Sequence, residues 1–113
     1  MNKYRNKKVV VDGIVFDSRK EGQRWKELKI LESSGEIEKL ERQVKFQLLP
    51  RQTGSDGKVL ERKVEYVADF VYIRDGKVIV EDVKGYRGGG AYEVFKLKKK
   101  MMLYFFGIRV KEI

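Results

Sequence analysis

The sequence predicts a single mixed α/β (α+β) domain with the element order α-β-β-β-α-β and a mixed central sheet flanked by helices. A capped helical segment comes first, three strand-like segments follow it, and a second helical segment precedes a last short strand. The length of 113 residues suits one domain with a modest core, so residues 1–113 are taken as one unit.

The chain begins with a basic and then β-prone stretch, residues 1–16, which we call the N-terminal segment. Within it, residues 9–16 predict a small hairpin that turns at Asp12-Gly13. A hairpin of this size is not stable alone in water. We therefore expect it either to cover its own sheet or to pack on a second copy of the chain.

Caps and alternation define the remaining elements. Ser18 and Glu21 fit a capping box that starts a helix, and Gly35 ends it. Alternation of apolar and polar residues predicts strands, with a polar loop at 50–57 and an Asp-Gly turn before the third strand. The predicted strands are Arg42–Leu49, Val64–Ile73 and Val78–Lys84, the second helix is Tyr92–Phe106, and the last strand is Ile108–Ile113.

Composition excludes several kinds of site. Without cysteine the chain has no disulfide and no thiolate zinc site, and without histidine it has no Ser-His-Asp triad or histidine general base. Any metal must be held by oxygen ligands, which favours Mg²⁺ or Mn²⁺ over Zn²⁺. No apolar run approaches the roughly 20 residues of a membrane helix and no secretion signal opens the chain, so we expect a cytoplasmic protein with no membrane partner.

The net charge of +9 is concentrated at the two ends of the chain. Residues 1–10 carry four basic and no acidic side chains, and residues 84–113 carry eight basic and two acidic ones. Residues 11–83 are nearly neutral, with 14 basic and 15 acidic side chains. A polyanion such as DNA is the natural partner for this distribution, although a basic surface without a partner also fits it.

An acidic residue two positions before a lysine is the pattern that suggests chemistry. It occurs five times, at Glu27-Lys29, Asp56-Lys58, Glu61-Lys63, Asp75-Lys77 and Asp82-Lys84. Of these acids, only Asp82 follows a run typical of a central strand, residues 78–80, where an unpaired carboxylate is costly to bury. Because strand side chains repeat with period two, Asp82 and Lys84 point to the same side of the sheet.

Asp69 interrupts the apolar pattern of the preceding strand. Together with Asp82 and the Val83 carbonyl it would form a hard-oxygen site for one or two divalent ions, with water completing the coordination. Lys84 would then hold or activate the attacking water and offset charge on the phosphate. The alternative is a structural ion pair between a carboxylate and Lys84.

Glu21 shares the core-facing stripe of the first helix with Trp25. Its side chain either closes the capping box with Ser18 or points across the sheet at the metal site, and the first turn of a helix allows both in part. Glu81 adjoins Asp82 but alternates to the opposite face, so it lines the site only if a bulge exchanges the two.

Basic side chains on the second helix are expected to bind nucleic-acid phosphates. Lys96, Lys99 and Lys100 cluster on one helical face. Lys98 points elsewhere, and a merely solvated face is the alternative. A glycine-rich stretch before this helix lacks the lysine and hydroxyl residue of a nucleotide P-loop and is expected to be a mobile substrate loop. The contacts expected outside the helix are Arg87, Lys7 and Lys8.

Together these residues resemble the motif of the PD-(D/E)XK, or restriction-endonuclease-like, nuclease superfamily. The match comprises a helix acid, Glu21, a strand acid, Asp69, and the segment Asp82-Val83-Lys84 in the α-β-β-β-α-β order. Ala68 stands where the superfamily name has proline. By this similarity the four side chains Glu21, Asp69, Asp82 and Lys84 are the expected catalytic residues.

A narrower resemblance covers most of the chain. Segments 16–21, 42–43 and 81–85 resemble small phage and prophage proteins that are described as uncharacterised or as predicted endonucleases akin to Holliday-junction resolvases. By that similarity Gln43 is also expected to line the site, and the alternative is an exposed polar residue on a strand.

The resemblance implies a Mg²⁺-dependent endonuclease that hydrolyses phosphodiester bonds in DNA, acting on branched or phage recombination intermediates in the cytoplasm of a bacterial host. A non-catalytic nucleic-acid-binding module with the same fold and a sequence-specific homing or restriction-type nuclease are the alternatives. All four motif residues are present, which favours an enzyme. Because a symmetric junction needs two cuts, we also expect a homodimer.

Overall fold

The computed structural model describes residues 7–113, and the first six residues of the N-terminal segment lie outside that range. The described chain opens with the predicted hairpin, β1 (Val9–Val11) and β2 (Ile14–Phe16), whose strands pair antiparallel. At its turn, Asp12 and Gly13 have φ angles of 53° and 75°, the left-handed conformation that a two-residue hairpin turn requires. The predicted turn is therefore confirmed.

Helix α1 (Arg19–Ser33) begins where the capping residue predicts. The Ser18 hydroxyl accepts a hydrogen bond from the Glu21 backbone N–H at 3.1 Å and so satisfies one of the free donors of the first turn. Its buried face packs on the hairpin and on the sheet. The buried residues of this helix are Glu21, Gly22, Trp25 and Leu28.

The remaining elements form a mixed sheet and a second helix. In chain order they are β3 (Glu38–Leu49), β4 (Gln52–Thr53), β5 (Val59–Glu61), β6 (Val64–Arg74), β7 (Lys77–Asp82), α2 (Gly89–Phe106) and β8 (Lys111–Glu112). The main sheet has the strand order β3-β6-β7-β8, with antiparallel neighbours except for the parallel pair β7–β8. Strands β4 and β5 form a separate two-stranded ribbon. The fold is thus a mixed α+β arrangement, as predicted.

Several element boundaries differ from the prediction. Strand β3 begins at Glu38, before the expected start, and the expected loop 50–57 contains β4. Strand β8 has only two residues in full register with β7. The pairing nevertheless continues past β7, because the Lys84 N–H donates to the Ile113 carbonyl at 3.2 Å and the Ile113 N–H donates to the Asp82 carbonyl at 2.9 Å.

Two cores support the sheet. One core joins α1, the hairpin and the half of β6 that contains Phe70 and Tyr72, and the other core lies beneath α2. The second core is centred on Tyr66, Phe95 and Met102, all nearly inaccessible to solvent. Helix α2 ends at the predicted Gly107, which has a φ of 68° and closes the last turn through its N–H. Among residues 7–113, no helix is long and apolar enough to cross a membrane.

The packing of α1 on the hairpin generates a first prediction. A Cβ added at Gly22 would lie 2.8 Å from Cγ2 of Val9 and 3.2 Å from Cγ2 of Val11, and valine side chains are stiff. We expect Gly22→Ala to lower the free energy of unfolding by about 1–3 kcal/mol, despite the better helix propensity of alanine. Urea unfolding monitored by circular dichroism measures this change.

Gly90 in the first turn of α2 provides the matched control. A Cβ there meets no atom within 4 Å, so Gly90→Ala should be neutral or stabilising by up to about 1 kcal/mol. If Gly22→Ala were as stable as the control, the hairpin would not pack on α1 as described.

Candidate active site

A pocket opens where β6 and β7 separate. The register of the two strands begins at Phe70, so the part of β6 from Val64 to Asp69 has β3 on one side and no strand on the other. Helix α2 covers this gap and leaves a cavity of about 350 Å³. One wall carries Asp69, Asp82 and Lys84, and the opposite wall carries Ala91, Val94, Phe95 and Lys98 of α2.

Asp82 is the most deeply held carboxylate of the pocket, with 6% of its surface exposed. The Tyr66 hydroxyl donates to Oδ2 at 2.6 Å, and Nζ of Lys84 lies 2.9 Å from Oδ1. Burial, followed by the charge of Asp82, raises the pKa of Tyr66, so this hydroxyl stays a donor. The Lys84 ammonium also lies 3.7 Å from the centroid of the Phe95 ring. Asp82 and Lys84 therefore share one side, as the alternation predicts.

Asp69 lies at the mouth of the gap and binds the backbone beyond β7. Its Oδ2 accepts the Val83 N–H at 2.8 Å. Burial and then the negative charge of Asp82 raise the pKa of Asp69 to about 7, with a smaller contribution from Glu21 and against the lowering effect of the Val83 N–H. At neutral pH the Asp69 carboxyl is therefore partly protonated unless a cation lies beside it.

Glu21 and Gln43 reach the same carboxylate from α1 and β3. Nε2 of Gln43 lies 3.4 Å from Oε1 of Glu21 and 3.4 Å from Oδ1 of Asp69, so the amide bridges the two acids. The Glu21 backbone N–H donates to Ser18, whereas the Glu21 side chain faces Gln43 and Asp69, so the side chain turns across the sheet and is not the capping-box partner of Ser18.

Gln43 is also a backbone outlier. Its φ of 54° is left-handed within a strand, at the position directly between the paired residues Arg42 and Val44. A non-glycine residue in this conformation costs about 1–3 kcal/mol and persists where surrounding contacts impose it, often at functional sites. The strained backbone turns the Gln43 side chain towards Glu21 and Asp69.

The carboxylates of the site are held by other protein groups and do not form a cage. Among residues 7–113, no three carboxylates lie close enough together to hold a metal ion. Glu21 meets Asp69 through Gln43, and Asp82 is bound by Tyr66 and Lys84. Burial first and the charge of Asp82 second disfavour the ionised Asp69 carboxyl and raise its pKa.

The Val83 backbone faces the same place. Its neighbours Asp82 and Lys84 bond to β8 through the Asp82 carbonyl and the Lys84 N–H. In an extended segment both backbone groups of the intervening residue face the other side, where the Val83 N–H meets Asp69. By the same geometry the Val83 carbonyl faces the side of Asp69.

Glu81 lies on the other side of the sheet, with 1% of its surface exposed. Nε and Nη2 of Arg24 donate to its two carboxylate oxygens at 2.8 and 2.6 Å, and the Tyr72 hydroxyl donates to it as well. The hydrogen bond from Arg24 to Glu81 raises the pKa of Arg24, and burial followed by the bond to Glu81 raises that of Tyr72 to about 12. Glu81 therefore anchors α1 to the sheet and does not line the pocket.

The basic residues expected to bind nucleic acid lie outside the pocket. Lys99 and Arg87 both bind Glu112 of β8, at 2.7 and 3.2 Å, and lower its pKa to about 2. Lys96 pairs with Glu93 on the same helix. Lys100 borders a second cavity, of about 240 Å³, together with Lys99 and Arg109. At the chain start, Lys7 and Lys8 are exposed, and Lys8 pairs with Asp17.

Of the lysines on α2, Lys98 is the one that lines the pocket, and the sequence prediction had placed it on a different face from Lys96, Lys99 and Lys100. Ala91, Phe95 and Lys98 follow each other at spacings of four and three residues, which places them on one helical flank. That spacing is visible in the sequence, but only the position of the strands shows that this flank faces Asp82. Of the three lysines predicted as one face, Lys99 is turned towards β8, where it pairs with Glu112.

Comparison with known proteins gives one family. A family model described as "Protein of unknown function (DUF1064)" matches residues 1–112, almost the whole chain. No curated protein and no solved structure matches the chain.

The pKa of Asp69 generates a second prediction. Because its folded pKa of about 7 lies above the ordinary 3.8, the folded protein holds this proton more tightly than the unfolded chain. Stability from this group is fully present below about pH 4 and is lost as the pH rises through 7. We expect Asp69→Asn, which still accepts the Val83 N–H, to raise stability at pH 8 without metal by on the order of 2 kcal/mol, allowing for partial exposure.

Chemical unfolding at pH 4 and pH 8 in the presence of a chelator measures this difference. Asp75→Asn, in the exposed turn between β6 and β7, removes the same charge and should change stability little at either pH. An Asp69→Asn variant that is no more stable than wild type at pH 8 would contradict the assigned repulsion.

Proposed function

We propose that this chain, which belongs to the DUF1064 family, is a metal-dependent endonuclease that hydrolyses phosphodiester bonds in DNA. One observation carries the proposal: the gap between β6 and β7 brings Asp69, Asp82 and Lys84 into one pocket, where burial and then the charge of Asp82 raise the pKa of Asp69. Buried acids without a cation raise the energy of the folded state, which proteins commonly accept at functional sites.

Asp69, Asp82 and the Val83 carbonyl would hold the metal, with Glu21 close enough to orient a bound water through Gln43. Bound there, Mg²⁺ or Mn²⁺ would polarise a phosphoryl oxygen and lower the pKa of a coordinated water. The chain has no histidine to act as a metal ligand or as a general base, and oxygen ligands favour Mg²⁺ or Mn²⁺.

Lys84 and Lys98 supply positive charge from opposite walls. The Lys84 ammonium is held between Asp82 and the Phe95 ring, and these two contacts restrict the conformations of its long side chain. From there it offsets the negative charge that develops on the phosphate. Lys98 stands on α2, one turn from Phe95, and is placed to contact the same or the neighbouring phosphate.

The order of the elements supports the same proposal. The core consists of α1, the strands β3, β6 and β7, then α2 and β8, which is the α-β-β-β-α-β order expected for a restriction-endonuclease-like nuclease. The acids stand on α1, β6 and β7 in the expected sequence. Branched or recombination intermediates, a homodimer and the bacterial cytoplasm remain part of the proposal on the resemblance alone.

A non-catalytic nucleic-acid-binding module is the second candidate function. Both oxygens of Asp82 already have partners, Tyr66 and Lys84, and the described residues gather no set of three carboxylates. In that case the pocket would bind a phosphate through Lys84 and Lys98 without hydrolysing it.

The third prediction separates the two functions. Asp69→Asn and Asp82→Asn should each reduce Mg²⁺-dependent cleavage by about 100-fold or more, because each removes a metal ligand, while DNA affinity measured with a chelator stays within about threefold. Cleavage is measured on junction, flap, duplex and single-stranded DNA, with Asp75→Asn as the control. Cleavage as fast as that of wild type in both variants, or no cleavage by wild type with Mg²⁺ or Mn²⁺, contradicts the nuclease.

The fourth prediction compares two lysines on α2 that carry the same charge. Lys98→Ala should reduce cleavage about tenfold or more, since a charge-assisted contact to the substrate is lost. Lys96→Ala removes an exposed lysine paired with Glu93 and should reduce cleavage less than about threefold. Equal losses in the two variants would show that only net charge matters and that Lys98 does not face the substrate.

A further inference from the structure

Between β3 and β6 the chain leaves the main sheet and forms the ribbon of β4 and β5. We call residues 51–63 the projecting hairpin. Apart from the half-buried Gly54, every residue in it is exposed. Within residues 7–113, its two strands pair with each other, and neither packs extensively on a helix or on a strand outside the hairpin. The molecule is flattened, with extents of 52 × 44 × 25 Å.

The surface of the projecting hairpin is both basic and apolar. It carries Arg51, Lys58, Arg62 and Lys63 against Asp56 and Glu61. Val59 and Leu60 are 49% and 68% exposed. Among the described residues, neither Arg51 nor Arg62 forms an ion pair. Both line a cavity of about 590 Å³ together with Val59 and Lys63. A two-stranded hairpin is only marginally stable alone in water, so this surface suits a partner that is anionic and has apolar parts.

The distance along β6 from the projecting hairpin to Asp69 can be compared with the helical repeat of DNA. Strand β6 starts at Val64, directly after the hairpin, and reaches Asp69 five residues later. At about 3.3 Å per residue this separation is about 17 Å. One turn of B-form DNA is about 34 Å, so the hairpin stands about half a helical turn from the pocket. Glu65 and Val67 line the pocket along the way, so the path along β6 is open.

We propose that the projecting hairpin binds the major groove of double-stranded DNA about half a turn from the phosphate held at Asp69. The major groove admits a two-stranded ribbon, whereas the minor groove is too narrow for one. Arg51, Arg62 and Lys63 contact phosphates beside the groove, and Leu60 contacts the apolar edge of a base or sugar. The substrate is then duplex on at least one side of the cut. The proposal rests on the proposed nuclease function for the position of the cut, but the binding of the hairpin can be tested separately.

The test compares two double variants that remove the same charge. Arg51→Ala with Arg62→Ala changes the hairpin, and Lys26→Ala with Lys77→Ala changes exposed lysines on α1 and at the opposite end of the sheet. Affinity for a 30-base-pair duplex and for its single strand is measured by fluorescence anisotropy with a chelator, over a range of salt concentrations. Circular dichroism checks that both variants fold.

We expect the hairpin variant to lose about tenfold or more in duplex affinity and to lower the salt slope by about two. Its affinity for the single strand should fall less than about threefold, and the control should match wild type on both. An equal loss on duplex and single strand, or an equal loss in the control, overturns the proposal. A wild-type dimer that becomes a monomer in the hairpin variant, detected by light scattering, would show that a second copy occupies this surface and also overturns it.

A second measurement needs no variant. Wild-type protein with Mg²⁺ is given duplexes that are shortened progressively on one side of the cut. Cleavage should fall sharply when fewer than about five base pairs remain on the hairpin side, since the duplex then no longer spans the roughly 17 Å from the cut to the hairpin. Cleavage that does not depend on this length contradicts the hairpin contact but not the nuclease function. Duplex binding that depends on the hairpin, in a protein that never cleaves DNA, contradicts the nuclease and leaves the hairpin contact standing.

Discussion

Two adjacent buried carboxylates at the end of β7 constrain the rest of the molecule. Glu81 and Asp82 point to opposite sides because strand side chains alternate, so each must find its partners on a different side of the sheet. Glu81 takes Arg24 and Tyr72, which ties α1 to the sheet, and Asp82 takes Tyr66 and Lys84 beneath α2. Removing one partner would leave an uncompensated buried charge, which costs several kcal/mol. The contacts of Glu81 thereby help to fix the position of β7, and this position places Asp82 in the pocket.

The separation of β6 from β7 opens the pocket that Asp82 lines. Before Phe70, β6 does not pair with β7, and the Val83 N–H donates to the Asp69 carboxylate in place of a ladder partner. The result is a carboxyl with an elevated pKa beside the strained backbone of Gln43. Both features destabilise the folded state, and their occurrence in one place distinguishes the pocket from an ordinary surface cleft.

Much of this arrangement follows from the sequence because its signals are local. Ser18, the Asp12-Gly13 turn and Gly107 define element ends through backbone chemistry that one or two residues determine. Period-two alternation places Asp82 and Lys84 on one side and Glu81 on the other. The strands β4 and β5 were missed, because two or three exposed residues carry no alternation to detect.

The remaining differences depend on tertiary placement. In sequence the face of α2 with Lys96, Lys99 and Lys100 is more basic than the flank with Lys98, and only packing on the sheet shows that the flank with Lys98 faces the pocket. The bridging role of Gln43 depends on a left-handed backbone that no propensity favours for glutamine in a strand. Such positions are where local preference yields to the demands of a site.

The claim on which the proposed function depends is that Asp69 and Asp82 share a divalent cation. Anomalous diffraction from crystals grown with Mn²⁺ tests it most directly, because the scattering identifies the metal and its position together. We expect an anomalous peak between the carboxylates of Asp69 and Asp82, beside the Val83 carbonyl, and no peak in crystals of the Asp82→Asn variant. A pocket without a peak at Mn²⁺ concentrations that occupy other carboxylates on the same molecule would contradict the metal site.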